Sequence, residues 1–516
     1  SERLHQVVTA RRPEAPGSNM AIPSQSTGET SSNRSPSLHS VARARRAQHD
    51  WSGLSIEQRL DVIRRFRWAL TDKGAALADS VQLSRAGGVA ETLSAEILPL
   101  ADACRFLERE APRLLRPRRL KRKGRPLWLT GTSSVVYREP LGAVLVIAAS
   151  NYPILLPGVQ TIQALVAGNA VLLKPGRGCS KTITALVDLL TDCGLPRDLV
   201  AVLDESPAAA QWAMDAGVEK VLLTGSLATG REVLGRLAST VTPSIVELSG
   251  CDAVFVLPEA DLDLVARALA FGLRLNGGAT CIAPRRVFVP KSRLYALQGH
   301  LEDALFDAPA TEIEPTVAAE LTDLVAEAEA EGAVVAFGEV PNENRMRPLV
   351  LSNASAEMRL LRSDVFAPVL SLVGVDNPEE ALALDTQCPY ALGATVFGPP
   401  AEARSFASRV EAGVVVINDM IAPTADPRLP FGGRGWSGFG STRGAEGLLE
   451  LTAPRVVIER KSKSHPHLDS LQPGDERLFE SYLRATHSRR WSERFGGWRN
   501  LFGDLRRKSR IEQGEK

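Results

Sequence analysis

Apolar residues recur at spacings of three and four from about residue 41 to 116, in "RLDVIRRFRWAL" (59–70) and again in "AEILPLADACRFL" (95–107). That period predicts two or three amphipathic helices. A basic loop, "RPRRLKRKGRP", follows as solvated surface, and the β-branched run in "LWLTGTSSVVYREP" then predicts an extended arm or hairpin. Between residues 141 and 250 short apolar runs such as "GAVLVIAAS", "AVLLKP" and "EKVLLTG" are each followed by a helical stretch of about ten or more residues. This alternation is the signature of βαβ units and of a parallel sheet whose strand C-terminal ends line a ligand crevice. A second alternating region, from about 251 to 430, is long enough to form an α/β domain of its own. It leads into "PFGGRGWSGFG", too rich in glycine for regular structure, and ordered pattern ends near "APRVVIE".

The two ends differ in kind. Residues 1 to about 40 are rich in Ser, Pro, Asn and Arg without a hydrophobic period, which predicts disorder, with an organellar transit peptide as the alternative. Between Ser481 and Arg510 nine Lys or Arg face only Glu493 and Asp504, while apolar and aromatic residues from Tyr482 to Leu505 recur at helical spacing. A single basic amphipathic helix is expected there, weakened by Gly496 and Gly497. It suits an anionic membrane surface, a neighbouring subunit or partner protein, or its own domain.

Composition narrows the function classes. The 516 residues are 44% hydrophobic and 23% charged, enough for a large core and more than one domain. Lys plus Arg number 61 against 60 Asp plus Glu, a net charge of +1, so no global field attracts nucleic acid. The six cysteines include no CxxC pair, and no metal site is expected; free thiols and the lack of a long apolar run predict a cytoplasmic protein.

Candidate chemistry sits at the predicted strand ends. "AASNYP" ends the first strand of the parallel sheet and points the Asn151 amide into the crevice. "KPGRG" ends the second with Lys174 and Arg177, cations suited to the ribose or phosphate of a nucleotide. "TGSLATG" follows another strand, so N–H groups around Gly225 and Ser226 would receive an anion, with Gly230 in the helix behind. "VELSG" sets Glu247 in an apolar run, where desolvation would raise its pKa and make it a general base. "NGGATC" places Cys281 after a flexible Gly-Gly step, 34 residues beyond Glu247. Taken alone, each residue is as well explained by turn chemistry, solvation or burial.

In this order and spacing the pieces resemble the aldehyde dehydrogenase superfamily, from about Ala42 to Val457. The match is carried by "EPLGAVLVIAASNYP", "ALVAGNAVLLKP", "LLTGSLATG", "VELSG", "NGGATC", "DVFAPV" and "PFGGRGWSGFG". The resemblance implies an α/β fold with a Rossmann-like cofactor domain (41–125 and 139–247), a catalytic domain (248–435) and a small β oligomerisation arm (126–138 and 436–460). Extensions at 1–40 and 461–516 would flank them. It implies a Cys281 nucleophile, an oxyanion held by Asn151, Glu247 as the base for hydrolysis, and NAD or NADP held by Lys174, Gly225, Ser226, Asp364 and Phe366. A homodimer or homotetramer is expected.

Departures from the family pattern matter too. Ala279 stands where Gln is usual, Ser150 where an aromatic residue is usual, and Asp364 supplies a shorter carboxylate than the usual Glu. Arg177 replaces a Glu that repels a 2′-phosphate, so NADP should be accepted. "NYP" and "PFGGRGWSG" look like the branch acting on fatty and aromatic aldehydes. The competing readings are a coenzyme A-acylating dehydrogenase, which generally lacks the Glu, and a non-catalytic scaffold presenting its tail.

Overall fold

The computed structural model describes residues 36–81, 87–463 and 465–512. The segment expected to be disordered lies outside the described residues as far as 35; a helix, Pro36–Ser52, starts within its last few positions.

Five parallel strands and one antiparallel edge strand make the first sheet. Its order is Gly438–Phe439, Ser244–Leu248, Lys220–Gly225, Ala143–Ile147, Ala170–Lys174, Val200–Val202. Ala143–Ile147 is buried at every position, as expected of a strand covered by helices on both faces. The chain begins in the middle of this sheet, moves outward through Ala170–Lys174 and Val200–Val202, then returns to the other side at Lys220–Gly225. Strand order therefore reverses beside Ala143–Ile147, the position at which open α/β sheets form a ligand crevice. One side chain ties this sheet to the end of the domain: buried Asn169 accepts from the N–H of Leu141 at 2.6 Å and of Gly142 at 3.0 Å, and donates to the Leu451 carbonyl at 2.8 Å.

The second sheet has seven strands, in the order Val334–Phe337, Leu349–Ser352, Val369–Val375, Pro284–Pro290, Asp252–Val256, Gly393–Phe397, Val414–Ile417. All its pairings are parallel except the first. Thr132–Pro140 and Thr452–Arg460 pair antiparallel over nine positions, outside both sheets, and leave Val456, Val457 and Ile458 exposed. Gly438–Phe439, which falls in the segment expected to belong to this arm, pairs instead with Ser244–Leu248 and extends the first sheet.

The C-terminal extension departs from the single helix expected over 481–510. It is a hairpin of two helices, Asp475–His487 and Trp491–Glu512, broken at Ser488–Arg490. Gly497 is the reason they can cross closely: a Cβ there would lie 2.3 Å from the Ala485 nitrogen. Ser481 Oγ donates to Asp504 at 2.8 Å and Lys508 pairs with Asp475 at 2.7 Å, clamping the two helices together from that close approach toward the open end of the hairpin. The glycine that sequence logic counts against the helix is what permits the hairpin.

Candidate active site

The loop that carries Cys281 is set by backbone that glycine and asparagine tolerate best. After the helix Leu262–Arg274, three successive residues take left-handed φ values: Asn276 at 51°, Gly277 at 59° and Gly278 at 73°. Asn visits this region at modest cost, and glycine at none. At 278 sterics also demand glycine, because a Cβ would lie 2.6 Å from the Pro368 nitrogen and Cα. The turn is held from three directions. Glu91 Oε1 accepts the Asn276 N–H at 2.6 Å, Asn276 Nδ2 donates to the Asn151 carbonyl at 2.9 Å, and buried Arg285 donates to the Gly278 and Ala367 carbonyls, both at 2.6 Å.

Cys281 and Glu247, 34 residues apart in sequence, meet because "VELSG" ends in Gly250. A Cβ on Gly250 would lie 2.6 Å from the Cys281 carbonyl oxygen, so the two backbones touch at this point. Glu247 is buried, and its Oε2 accepts from Thr442 Oγ1 at 2.9 Å. Its Oε1 is buried with no hydrogen-bond partner among the described residues. Burial raises the Glu247 pKa above the ordinary carboxylate range, opposed by the Arg443 charge and the Thr442 hydroxyl. Burial also pushes the Cys281 thiol upward, reinforced by the carboxylates of Glu247 and Asp252; Arg443 again pulls the other way.

Arg443 is thus the cation that acts on both Glu247 and Cys281, and sequence reasoning missed it, together with Thr442. Its guanidinium is buried 4.2 Å from the Phe431 ring centroid and donates to the Thr424 carbonyl at 3.0 Å. Both residues lie in "STRG", directly after the glycine-rich stretch. Their approach to Glu247 follows from the Gly438–Phe439 strand, which runs antiparallel beside Glu247 and turns the following residues back over it.

Asn151 lies beside the nucleophile loop, its Nδ2 donating to the Ala279 carbonyl at 3.0 Å, while the Tyr152 and Thr280 hydroxyls share a hydrogen bond of 2.7 Å. Cys281, Glu247 and Arg443 line one cavity of about 540 Å³. Its walls are mainly apolar, including Leu98, Leu155, Phe271, Leu275, Ile421 and Phe431, with Asp102 and Asp426 also among the lining groups.

The remaining sequence-predicted residues divide between two sheets. Lys174, Arg177, Gly225, Ser226 and Gly230 belong to the ends of first-sheet strands and the turns and helix after them. Lys174 is half-buried, and that burial lowers its pKa against the opposing pull of Glu205 and Asp204. Arg177 keeps 85% of its side chain exposed and reaches Glu314 at 4.0 Å. Ser226 caps the helix Leu227–Ala238, its Oγ accepting the Thr229 N–H at 3.3 Å.

A dinucleotide fits this crevice on one steric contrast. Gly230 is needed by packing, since a Cβ would lie 2.8 Å from Leu248 Cδ1. A Cβ on Gly225 would come no closer than 3.5 Å to any atom beyond its chain neighbours, so packing does not require glycine there, and a bare backbone at this helix start suits close approach of a ligand. Asp364 and Phe366 come from the second region, on the loop before Val369–Val375, and the Tyr390 hydroxyl donates to Asp364 at 3.2 Å.

The sequence profile of the Aldehyde dehydrogenase family matches residues 29–457. The 4,4'-diapolycopene aldehyde oxidase of a Methylomonas species is 30% identical over 434 residues, covering 82% of this chain and 81% of that protein. The structure of NADP-dependent glyceraldehyde-3-phosphate dehydrogenase from Bacillus halodurans, complexed with NADP, is similar with a TM-score of 0.76 at 26% identity. It covers 82% of this chain and 91% of that one. Mycobacterium tuberculosis aldehyde dehydrogenase complexed with NAD+ shares the fold, with a TM-score of 0.75 at 24% identity over 82% of this chain and 90% of its own. With nearly the whole span from the first helix to the arm matched, the chain belongs to the aldehyde dehydrogenase family.

Proposed function

We propose that Cys281, Glu247 and Asn151 carry out, in this chain, the NAD(P)-dependent aldehyde oxidation of its family, and that the product is a free carboxylic acid. The observation that carries the reading is the shared cavity: a thiol, a buried carboxylate and a buried guanidinium face one largely apolar space. The thiol loses its proton to solvent as its sulfur attacks the aldehyde carbonyl. The Cys281 N–H and an N–H of the Asn151 amide stabilise the oxyanion of the resulting thiohemiacetal. NAD or NADP, when bound, would supply the hydride acceptor for the former aldehyde carbon. Glu247 then takes a proton from water, which attacks the thioester and frees Cys281. Overall, aldehyde, water and oxidised cofactor become acid, reduced cofactor and a proton.

Lys174, Gly225 and Ser226 would hold the cofactor's ribose and pyrophosphate from the first sheet, with Gly230 packing the helix behind them; Asp364 and Phe366 would hold the nicotinamide ribose. Arg177, unburied and next to Lys174 in the turn, supports use of NADP alongside NAD. The apolar lining, and the carboxylates Asp102, Asp426 and Glu247 that share it, support a neutral, apolar aldehyde, in keeping with the 4,4'-diapolycopene aldehyde named for the Methylomonas relative. The exposed Val456, Val457 and Ile458 on an open edge strand support a homodimer or homotetramer assembled through the arm. Six free thiols support a reducing, cytoplasmic setting. Among the described residues no helix is long and apolar enough to cross a membrane.

Buried Glu247 favours hydrolysis over transfer to coenzyme A. The test is an assay of an apolar aldehyde with NAD and NADP, with and without coenzyme A. Free acid at a rate independent of coenzyme A is expected, and acyl-coenzyme A formation would overturn the hydrolytic reading. Cys281→Ala is expected to abolish aldehyde-dependent cofactor reduction. Unchanged reduction would refute Cys281 as the nucleophile, whereas no reduction by the wild type with any aldehyde would leave the scaffold reading standing instead.

A further inference from the structure

The family profile ends at residue 457, and the helical hairpin lies wholly beyond it. In the second helix Trp491, Phe495, Trp498, Phe502 and Leu505 are spaced four, three, four and three apart, so they share one face. That face is not the one used to build the hairpin. Gly497, Leu501, Asp504 and Lys508 lie toward the neighbouring face, where Gly497 and Leu501 are buried and Asp504 and Lys508 bond to the first helix. The hairpin is therefore closed on itself, and the aromatic stripe is left over: Trp491 is 81% exposed, Phe495 78%, Phe502 58% and Leu505 46%.

What surrounds the stripe indicates what covers it. Arg499 and Arg506, both exposed, lie at one flank by helical spacing. Arg494 lies at the other, its guanidinium 5.6 Å from the Trp491 ring centroid. A second copy of the hairpin would bring ten basic side chains, offset by only six acidic ones, against an identical set. Like-charge repulsion opposes that pairing. A flat anionic surface satisfies both features, because aromatic rings settle at the headgroup and acyl boundary while arginines reach the phosphates. The stripe runs roughly 21 Å along the helix, long enough to lie in a surface and too polar on its other faces to cross one.

We propose that the Trp491–Glu512 helix docks this protein peripherally on an anionic lipid surface, with Trp491, Phe495, Phe502 and Leu505 in the interface and Arg499 and Arg506 among the headgroups. The proposal does not depend on the catalytic assignment. It is tested by co-sedimenting the full chain with phosphatidylcholine vesicles containing or lacking phosphatidylserine, at low and high salt. Binding is expected only with phosphatidylserine and is expected to weaken with salt. Trp491→Ser with Phe495→Ser, and separately Arg499→Glu with Arg506→Glu, should each lower the bound fraction about tenfold or more. Oxidation of a water-soluble aldehyde and oligomer size should stay unchanged in both. Absence of binding to phosphatidylserine vesicles would overturn the proposal, as would undiminished binding by both variants. A change of oligomer size in the variants would assign the stripe to a second copy instead.

Discussion

Arg443 pulls Glu247 toward its carboxylate form against the burial that raises its pKa. Burial favours the neutral carboxyl, and the guanidinium and the Thr442 hydroxyl work against it. A general base acts as its carboxylate, so anything that raises its pKa moves the acid limb of the rate profile to higher pH. Arg443→Met removes the charge and keeps much of the apolar stem that packs on Phe431. Its kcat should fall more steeply at mildly acid pH than in alkali, with KM for the cofactor unchanged; an acid limb identical to the wild type would show that the charge does not govern Glu247. At this scale Cys281, Glu247 and Asn151 were legible because their types and order match the family motifs. Arg443 and Thr442 were not, since a charged residue after a glycine-rich run reads as surface until the pairing of Gly438–Phe439 with Glu247 is known.

At the scale of elements, glycines separate steric need from ligand need. Gly278 combines a left-handed φ with backbone contact to Pro368, and the φ strain alone costs about 1–2 kcal/mol for another residue. Gly278→Ala should lower the unfolding midpoint and slow thiol labelling and turnover together, because the displaced loop carries Cys281. Gly225→Ala meets nothing closer than 3.5 Å, so its stability should match the wild type while its KM for NAD(P) rises. Equal KM values would remove Gly225 from the cofactor crevice, and an unshifted unfolding midpoint in Gly278→Ala would contradict the steric account. The two parallel sheets were legible in the alternation of short apolar runs with helical stretches. The hairpin was not, because the apolar period continues across Ser488–Arg490 and the fold-back shows only in contacts between the helices, that of Gly497 with Arg484–Ala485 among them.

Across the whole molecule, the first sheet brings the crevice and Glu247, the second brings the Cys281 loop and Asp364, and the arm and hairpin leave apolar surface for other bodies to cover. The central claim is that Glu247 serves hydrolysis of an acyl group held on Cys281. Removing its charge should spare the first half of the reaction, since the Glu247 carboxylate adds to the burial that raises the Cys281 pKa, and its loss eases formation of the thiolate. The decisive measurement is rapid mixing of Glu247→Gln with an apolar aldehyde and NAD(P), following reduced cofactor from the first turnover onward. The expected result is a burst of reduced cofactor approaching one equivalent per active site, then a near halt with the acyl group retained on Cys281. Steady turnover at the wild-type rate, or a missing burst in a protein whose Cys281 still reacts with thiol reagents, would contradict it.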